Sequence, residues 1–168
     1  MLTAAARFHE LGLDEHMKER GDDRSISEPA INLEFSGAFP SDYVPDATVR
    51  LNLYSRLQRF ERAAEIDAFA DELEDRFGAP PPETIMLIEL ARLKQAAAGA
   101  GIVRIGAGPA AIAIELAKLD SKLLARLQKH PDCSPREDRV IFKIATTPGP
   151  GRLRAARKLV DLCRAATT

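Results

Sequence analysis

Two stretches of the chain carry spacings that chemistry would need. The first is IGAGPAA, residues 105–111, in which Gly106, Gly108 and Ala111 match the G-x-G-x-x-[GA] pattern of dinucleotide-binding loops. Such a loop lets a pyrophosphate approach bare backbone at a helix N-terminus, so it needs a buried strand before it and a helix after it. Here Ile112, Ile114 and Leu116 alternate with Ala113 and Glu115, as in a strand, and position 126, where a ribose-binding acid would be sought, falls inside a helical stretch. The glycines are therefore read as turn residues, with FAD or NAD binding kept as the alternative.

The second stretch is DAFADELEDRFG, residues 67–78. With Ile66 at zero on a helical wheel, Asp71, Asp75 and Glu72 fall at about 140°, 180° and 240°, away from the apolar side. Glu74 and Asp75 also occupy the last turn, where the helix macrodipole disfavours negative charge, and locally only Arg76 offsets them. Two readings follow: a solvated acidic face, or carboxylates that a basic surface of another protein would neutralise. Elsewhere, Arg152, Arg154, Arg157, Lys158 and Arg164 lie outside the apolar line of a C-terminal helix. They could meet phosphates, but without interleaved aromatics or a nucleic-acid motif a solvated helix or a salt-bridged seam is the simpler reading. No G-x-x-x-x-G-K-[ST] phosphate loop occurs, and His9, His16 and His130 have no acidic or thiol partners at ligand or triad spacing. The expectation is a non-catalytic chain with neither cofactor nor metal.

The elements that must position these groups follow from periodicity. Leu2, Phe8, Leu11, Leu13 and Met17 form a weak helical pattern, followed by a polar linker from Asp22 to Glu28. Ile31, Leu33 and Phe35 alternate as a half-buried strand. The segment AFPSDYVPD, with two prolines and two aromatics, should pack down, and Asp46 should cap a helix over 47–60 with Leu51, Leu53, Tyr54, Leu57 and Phe60 as its apolar stripe. Ile66, Phe69, Ala70, Leu73 and Phe77 predict a helix over 64–77, stopped by Gly78. A third, over 83–98, is apolar around most of its circumference and should be the most enclosed. IVRI and IAIEL predict a hairpin-like pair of strands, 121–129 a short helix, RVIFKIA a strand, and Leu153, Ala156, Val160 and Cys163 the inner face of a last helix. The fold class is α+β, helix-rich, with a small mostly antiparallel sheet.

Composition agrees. A chain of 168 residues with 45% apolar and 29% charged residues suits one domain with a single core. The net charge of −1 hides an asymmetry: −3 over residues 1–28, −5 over 29–117 and +7 over 118–168. Two cysteines without ligand spacing, and no apolar run long enough for a membrane span or secretory signal, predict a cytoplasmic protein.

Three segments in order, FPSDYVPDATVRLNLYSRL, ELEDRFGAPPPE and LIELARLKQAAAGAGIVRI, resemble the C-terminal domain of the bacterial transcription-repair coupling factors (Mfd). The resemblance runs over roughly residues 29–164, leaving 1–28 as an N-terminal helix and linker and 29–168 as the domain. Full-length members are ATP-driven DNA translocases that displace stalled RNA polymerase and recruit UvrA, for nucleotide-excision repair of DNA damage, through a UvrB-like module. The resemblance implies that this domain is not the motor. It implies instead a regulatory part that folds onto the UvrB-like module, masks its UvrA-binding face and so enforces autoinhibition. The acids of ELEDRFG, Glu72 and Asp75 with neighbouring Asp71 and Arg76, would then form the partner-binding site. Having neither motor nor UvrB-like module, the chain is expected to be either a piece of a larger translocase or a small protein acting in trans, where the advantage of a tether is lost.

Overall fold

The computed structural model describes residues 28–167. They form β1 (Ala30–Asn32), α1 (Ala47–Arg59), α2 (Ala63–Phe77), α3 (Pro82–Gly99), β2 (Ile102–Ala107), β3 (Ile112–Leu116), α4 (Ser121–Leu127), β4 (Cys133–Pro135), β5 (Arg139–Phe142) and α5 (Pro150–Thr167). The fold is α+β, and three of the four strand pairings are antiparallel. The sheet order is β1-β2-β3-β5-β4, with β1 parallel to β2. The weak helix expected over 2–20 and most of the linker lie outside the described residues.

Two apolar clusters organise the molecule. The helical one gathers Phe39, Val44, Leu53, Leu57, Ile66, Phe69, Leu73 and Ile88 from the 37–46 segment, α1, α2 and the start of α3. The sheet one packs β2, β3 and β5 against the end of α3, α4 and α5 through residues such as Ile105, Ile114, Phe142, Leu159 and Val160. The proline-rich segment does pack down. Tyr54 Oη accepts a hydrogen bond from Phe39 N–H at 2.8 Å, Ala38 N–H donates to Glu83 O, and buried Thr84 Oγ1 donates to Ala38 O at 2.9 Å. The chain crosses the first turn of α3 so closely that a Cβ on Gly37 would stand 2.3 Å from Leu87 N, which explains glycine there.

Three expectations need correction. Leu51, placed on the apolar stripe of α1, is 71% exposed, because that helix buries Leu53 and Leu57 instead. The helix expected to be most enclosed, α3, leaves Ile85 47% exposed and Leu87 and Leu90 half-buried. Arg152, assigned to the outer face of α5, is 1% exposed. The first strand is also shorter than its alternation suggests. It ends where Asn32 Oδ1 accepts Glu34 N–H at 3.0 Å, and Glu34 takes a left-handed φ of 64°. The β4 strand, three residues including Pro135, carries no alternating pattern of its own and exists through its pairing with β5.

Candidate functional site

The acidic face of α2 is built from both flanking helices. Asp46 starts α1 as its N-cap, accepting from Thr48 N–H at 2.8 Å and Val49 N–H at 3.1 Å. Glu65 Oε1 reaches back to accept from Arg62 N–H at 3.1 Å and so helps start α2. With the two helices packed through Leu53, Leu57, Ile66 and Phe69, Arg56 of α1 reaches Glu72 of α2 as a two-toothed pair, Nη1 to Oε2 at 2.7 Å and Nη2 to Oε1 at 2.9 Å. Arg76 adds a bond to Glu72 Oε2 at 2.9 Å from one turn further along. Both guanidiniums lie over aromatic rings, Arg56 at 5.3 Å from the centre of Phe69 and Arg76 at 4.9 Å from that of Phe77. The hydrogen bond from Arg56, then that from Arg76 and the charges of both, bring the Glu72 carboxyl down to about 2 against the opposing effect of burial. The same hydrogen bond raises the pKa of Arg56.

Glu72 is thus matched within the chain by Arg56 and Arg76, whereas Glu74 and Asp75, which the sequence set against Arg76 alone, form no ion pair among the described residues. No local pattern could have pointed to Arg56, since it lies sixteen positions from its partner and on another helix. The C-terminal turn of α2 also has a partner the sequence did not disclose. Tyr43 Oη donates to Gly78 O, just past the helix end, at 2.8 Å, and more weakly to Leu73 O at 3.3 Å. Burial, with the Glu74 charge adding to it, raises the Tyr43 phenol pKa. Gly78 takes φ 86° to end the helix.

Asp71 and Asp75 remain exposed and form no ion pair among the described residues. Four positions apart, they are like-charged neighbours on one helix face, an arrangement that costs an isolated helix about 0.2–0.5 kcal/mol. Glu74, also exposed, lies beside them. The site therefore has two layers: Glu72 held by two stacked arginines, and beyond it open carboxylates.

The other candidate groups fare differently. Gly106 ends up in β2, and the loop after it closes a β2–β3 hairpin through Gly108 N–H to Ala111 O at 2.9 Å. Because β3 and not a helix follows, the dinucleotide alternative lacks the helix N-terminus it requires. On α5, Arg154 and Lys158 are exposed, and Arg157 pairs with Asp161 at 3.3 Å. Arg152 points inward, donating to Thr146 Oγ1 at 2.8 Å, Leu33 O at 2.8 Å and Thr146 O at 2.9 Å, with the Glu34 carboxylate at 3.9 Å. Among the described residues no three His, Cys, Asp or Glu side chains converge to hold a metal, and no helix is long and apolar enough to cross a membrane.

Fold and site together define a helix-rich α+β domain whose distinctive polar chemistry is a charged helical face. The TRCF domain family model matches residues 33–127, and the chain belongs to that family. The transcription-repair-coupling factor of Rickettsia conorii (strain ATCC VR-613 / Malish 7) is 27% identical over 152 residues, covering 88% of this chain and 12% of that protein. That of Escherichia coli (strain K12) is 30% identical over 114 residues, 66% of this chain and 10% of that protein. The crystal structure of the C-terminal domain of transcription-repair coupling factor superposes with a TM-score of 0.68 at 14% identity, covering 83% of this chain and 94% of that one. The chain spans only about a tenth of the length of these curated relatives.

Proposed function

We propose that this chain is a non-catalytic regulatory domain of a transcription-repair coupling system, one that masks the UvrA-binding face of a UvrB-like module through the acidic face of α2. The observation that carries this reading is the pair Asp71 and Asp75, exposed, one turn apart and without an ion pair among the described residues. Arginines of a partner would relieve that repulsion and gain charge-assisted hydrogen bonds. Glu72 and Arg76 form the floor of the surface, holding the helix face in place while the outer acids make the contact. UvrA and RNA polymerase enter only through that module and the larger system around it. The test is to mix the full chain with a purified UvrB-like module and measure binding against salt concentration. Binding should weaken as salt rises, and Asp71→Arg plus Asp75→Arg should lower affinity roughly tenfold or more at low ionic strength. Equal binding by the double variant would sink the assignment of this surface.

A further inference from the structure

A second face of the molecule joins bare apolar surface to unpaired cations. Ile85, Met86 and Glu89 share one side of α3, and Leu153, Arg154, Arg157 and Lys158 share one side of α5, each set running for one to two turns at helical spacing. The two sides border an open groove of about 840 Å³, to which Phe35 adds its ring. That volume is in the range, about 300–1,000 Å³, of sites that take several apolar groups. Ile85 is 47% exposed, and among the described residues only it and Leu51 are large apolar side chains left open. None of the groove's residues belongs to the acidic face of α2, so this surface is separate from the one assigned above.

The charge along the groove is divided. On the α5 side Arg154 and Lys158 are exposed and form no ion pair among the described residues, while Arg157 is held by Asp161 at 3.3 Å. They stand near the N-terminal end of α5, whose first turn carries no acid, so the positive end of the helix macrodipole adds to their field. On the α3 side Glu89 faces Arg92 Nε at 3.4 Å, and Glu83 lies in a first turn, where the macrodipole favours a carboxylate. The charge left without compensation is therefore positive and lies along one wall. We infer that the groove docks an amphipathic helix of a partner protein, its apolar stripe on Ile85, Met86 and Leu153 and its carboxylates, on one flank of that stripe, against Arg154 and Lys158. A second copy of the chain fits less well, because Leu51, the other open apolar side chain, lies on α1, which has arginines and no acid.

The probe is a fluorescent synthetic peptide of about 14 residues, long enough to be partly helical alone, with leucines at helical spacing, glutamates on one flank and glutamines on the other. Titrated with the full chain at low ionic strength, it should bind, and binding should weaken as salt rises. Arg154→Glu plus Lys158→Glu should lower affinity roughly tenfold or more, and so should lysines in place of the peptide's glutamates. The methyl resonances of Ile85 and Met86 should shift on binding while that of Ile114, in the sheet core, stays in place. No binding up to about 1 mM chain, equal binding by the double variant, or equal binding of the lysine peptide would overturn the proposal. So would a chain that self-associates through Ile85, which makes the occupant a second copy, or phosphatidylglycerol vesicles that bind the chain at Arg154 and Lys158 and are not displaced by the peptide, which makes it a lipid surface. If the charge reversal disturbs folding, Arg154→Gln plus Lys158→Gln gives the same comparison with a smaller loss.

Discussion

In the helical unit, Arg56 and Arg76 meet Glu72 near the surface and lie across the rings of Phe69 and Phe77. In the sheet unit, Arg152 sits inside and is satisfied mainly by neutral oxygens of Leu33 and Thr146. The first arrangement can exchange partners, because a water-exposed ion pair is worth only about 0–1 kcal/mol and its members lose little on turning elsewhere. The second cannot. Withdrawing a buried guanidinium leaves several acceptors without donors, and an unsatisfied buried group costs about 1–3 kcal/mol. Charge on α2 thus stays at the surface, with Asp71 and Asp75 exposed beside the matched Glu72, whereas charge at the start of α5 is committed to joining β1, the 144–149 loop and the β2–β3 turn. Thr146 completes that junction by donating to Gly108 O through Oγ1 and to Pro109 O through its N–H.

The largest test of this contrast is Phe69→Ala. It removes the ring that packs against Phe39 and Phe60 and carries the Arg56 guanidinium, and should cost about 3–5 kcal/mol in urea unfolding. Hydrogen exchange on the same variant asks whether the two units are separable. Loss of protection confined to α1 and α2 sharpens the contrast, and equal loss in β2 and β3 breaks it by showing one cooperative unit. Next in size is Arg152→Lys, which keeps the charge but replaces a planar fork by a point donor that cannot serve Leu33 O and both Thr146 oxygens together. A loss of roughly 2–3 kcal/mol is expected from the stranded acceptors. A variant as stable as the parent would mean that this cation is not structural after all.

The smallest effect concerns pH. Glu72 titrates at about 2 in the folded chain against an ordinary value of 4.5. A lowered carboxylate pKa means the unfolded chain binds the proton more readily. The stabilisation is thus fully present above about pH 4.5 and is lost as pH falls through about 2. The Glu72 side chain is 34% exposed, so solvent screening reduces the effect to about 1 kcal/mol or less. Glu72→Gln should flatten the stability curve between those two pH values, and an unchanged slope would show that the pair with Arg56 and Arg76 contributes nothing measurable.

Much of the helical unit could be read directly. Asp46 caps α1, the Ile66-Phe69-Leu73 repeat marks the buried side of α2, and Gly78 with three prolines separates α2 from α3, all signals that act within one or two turns. The hairpin was legible for the same reason, since the alternations on either side of Gly106–Ala111 pair across a short turn. The strand β4, the parallel pairing of β1 with β2, and the exposure of Leu51 were not, because each depends on which distant segment packs alongside. At the candidate site, the outward direction of Asp71 and Asp75 followed from helical spacing, but the capture of Glu72 by Arg56 did not.

Sequence alone settled, to within two residues, where α1 to α4 begin and end, which sides of α2 and α5 are apolar, and that acids crowd the end of α2, because caps, breakers and 3.6-residue spacing are local properties of the chain. Tertiary structure decided which charges are spent and which remain. Arg56 reaches Glu72, Tyr43 reaches the carbonyls of α2, and Arg152 turns inward toward Leu33 only after segments up to 119 positions apart have been brought together by burial of the apolar clusters. Those encounters are set by packing and loop closure over the whole chain, and no window of neighbouring residues contains them.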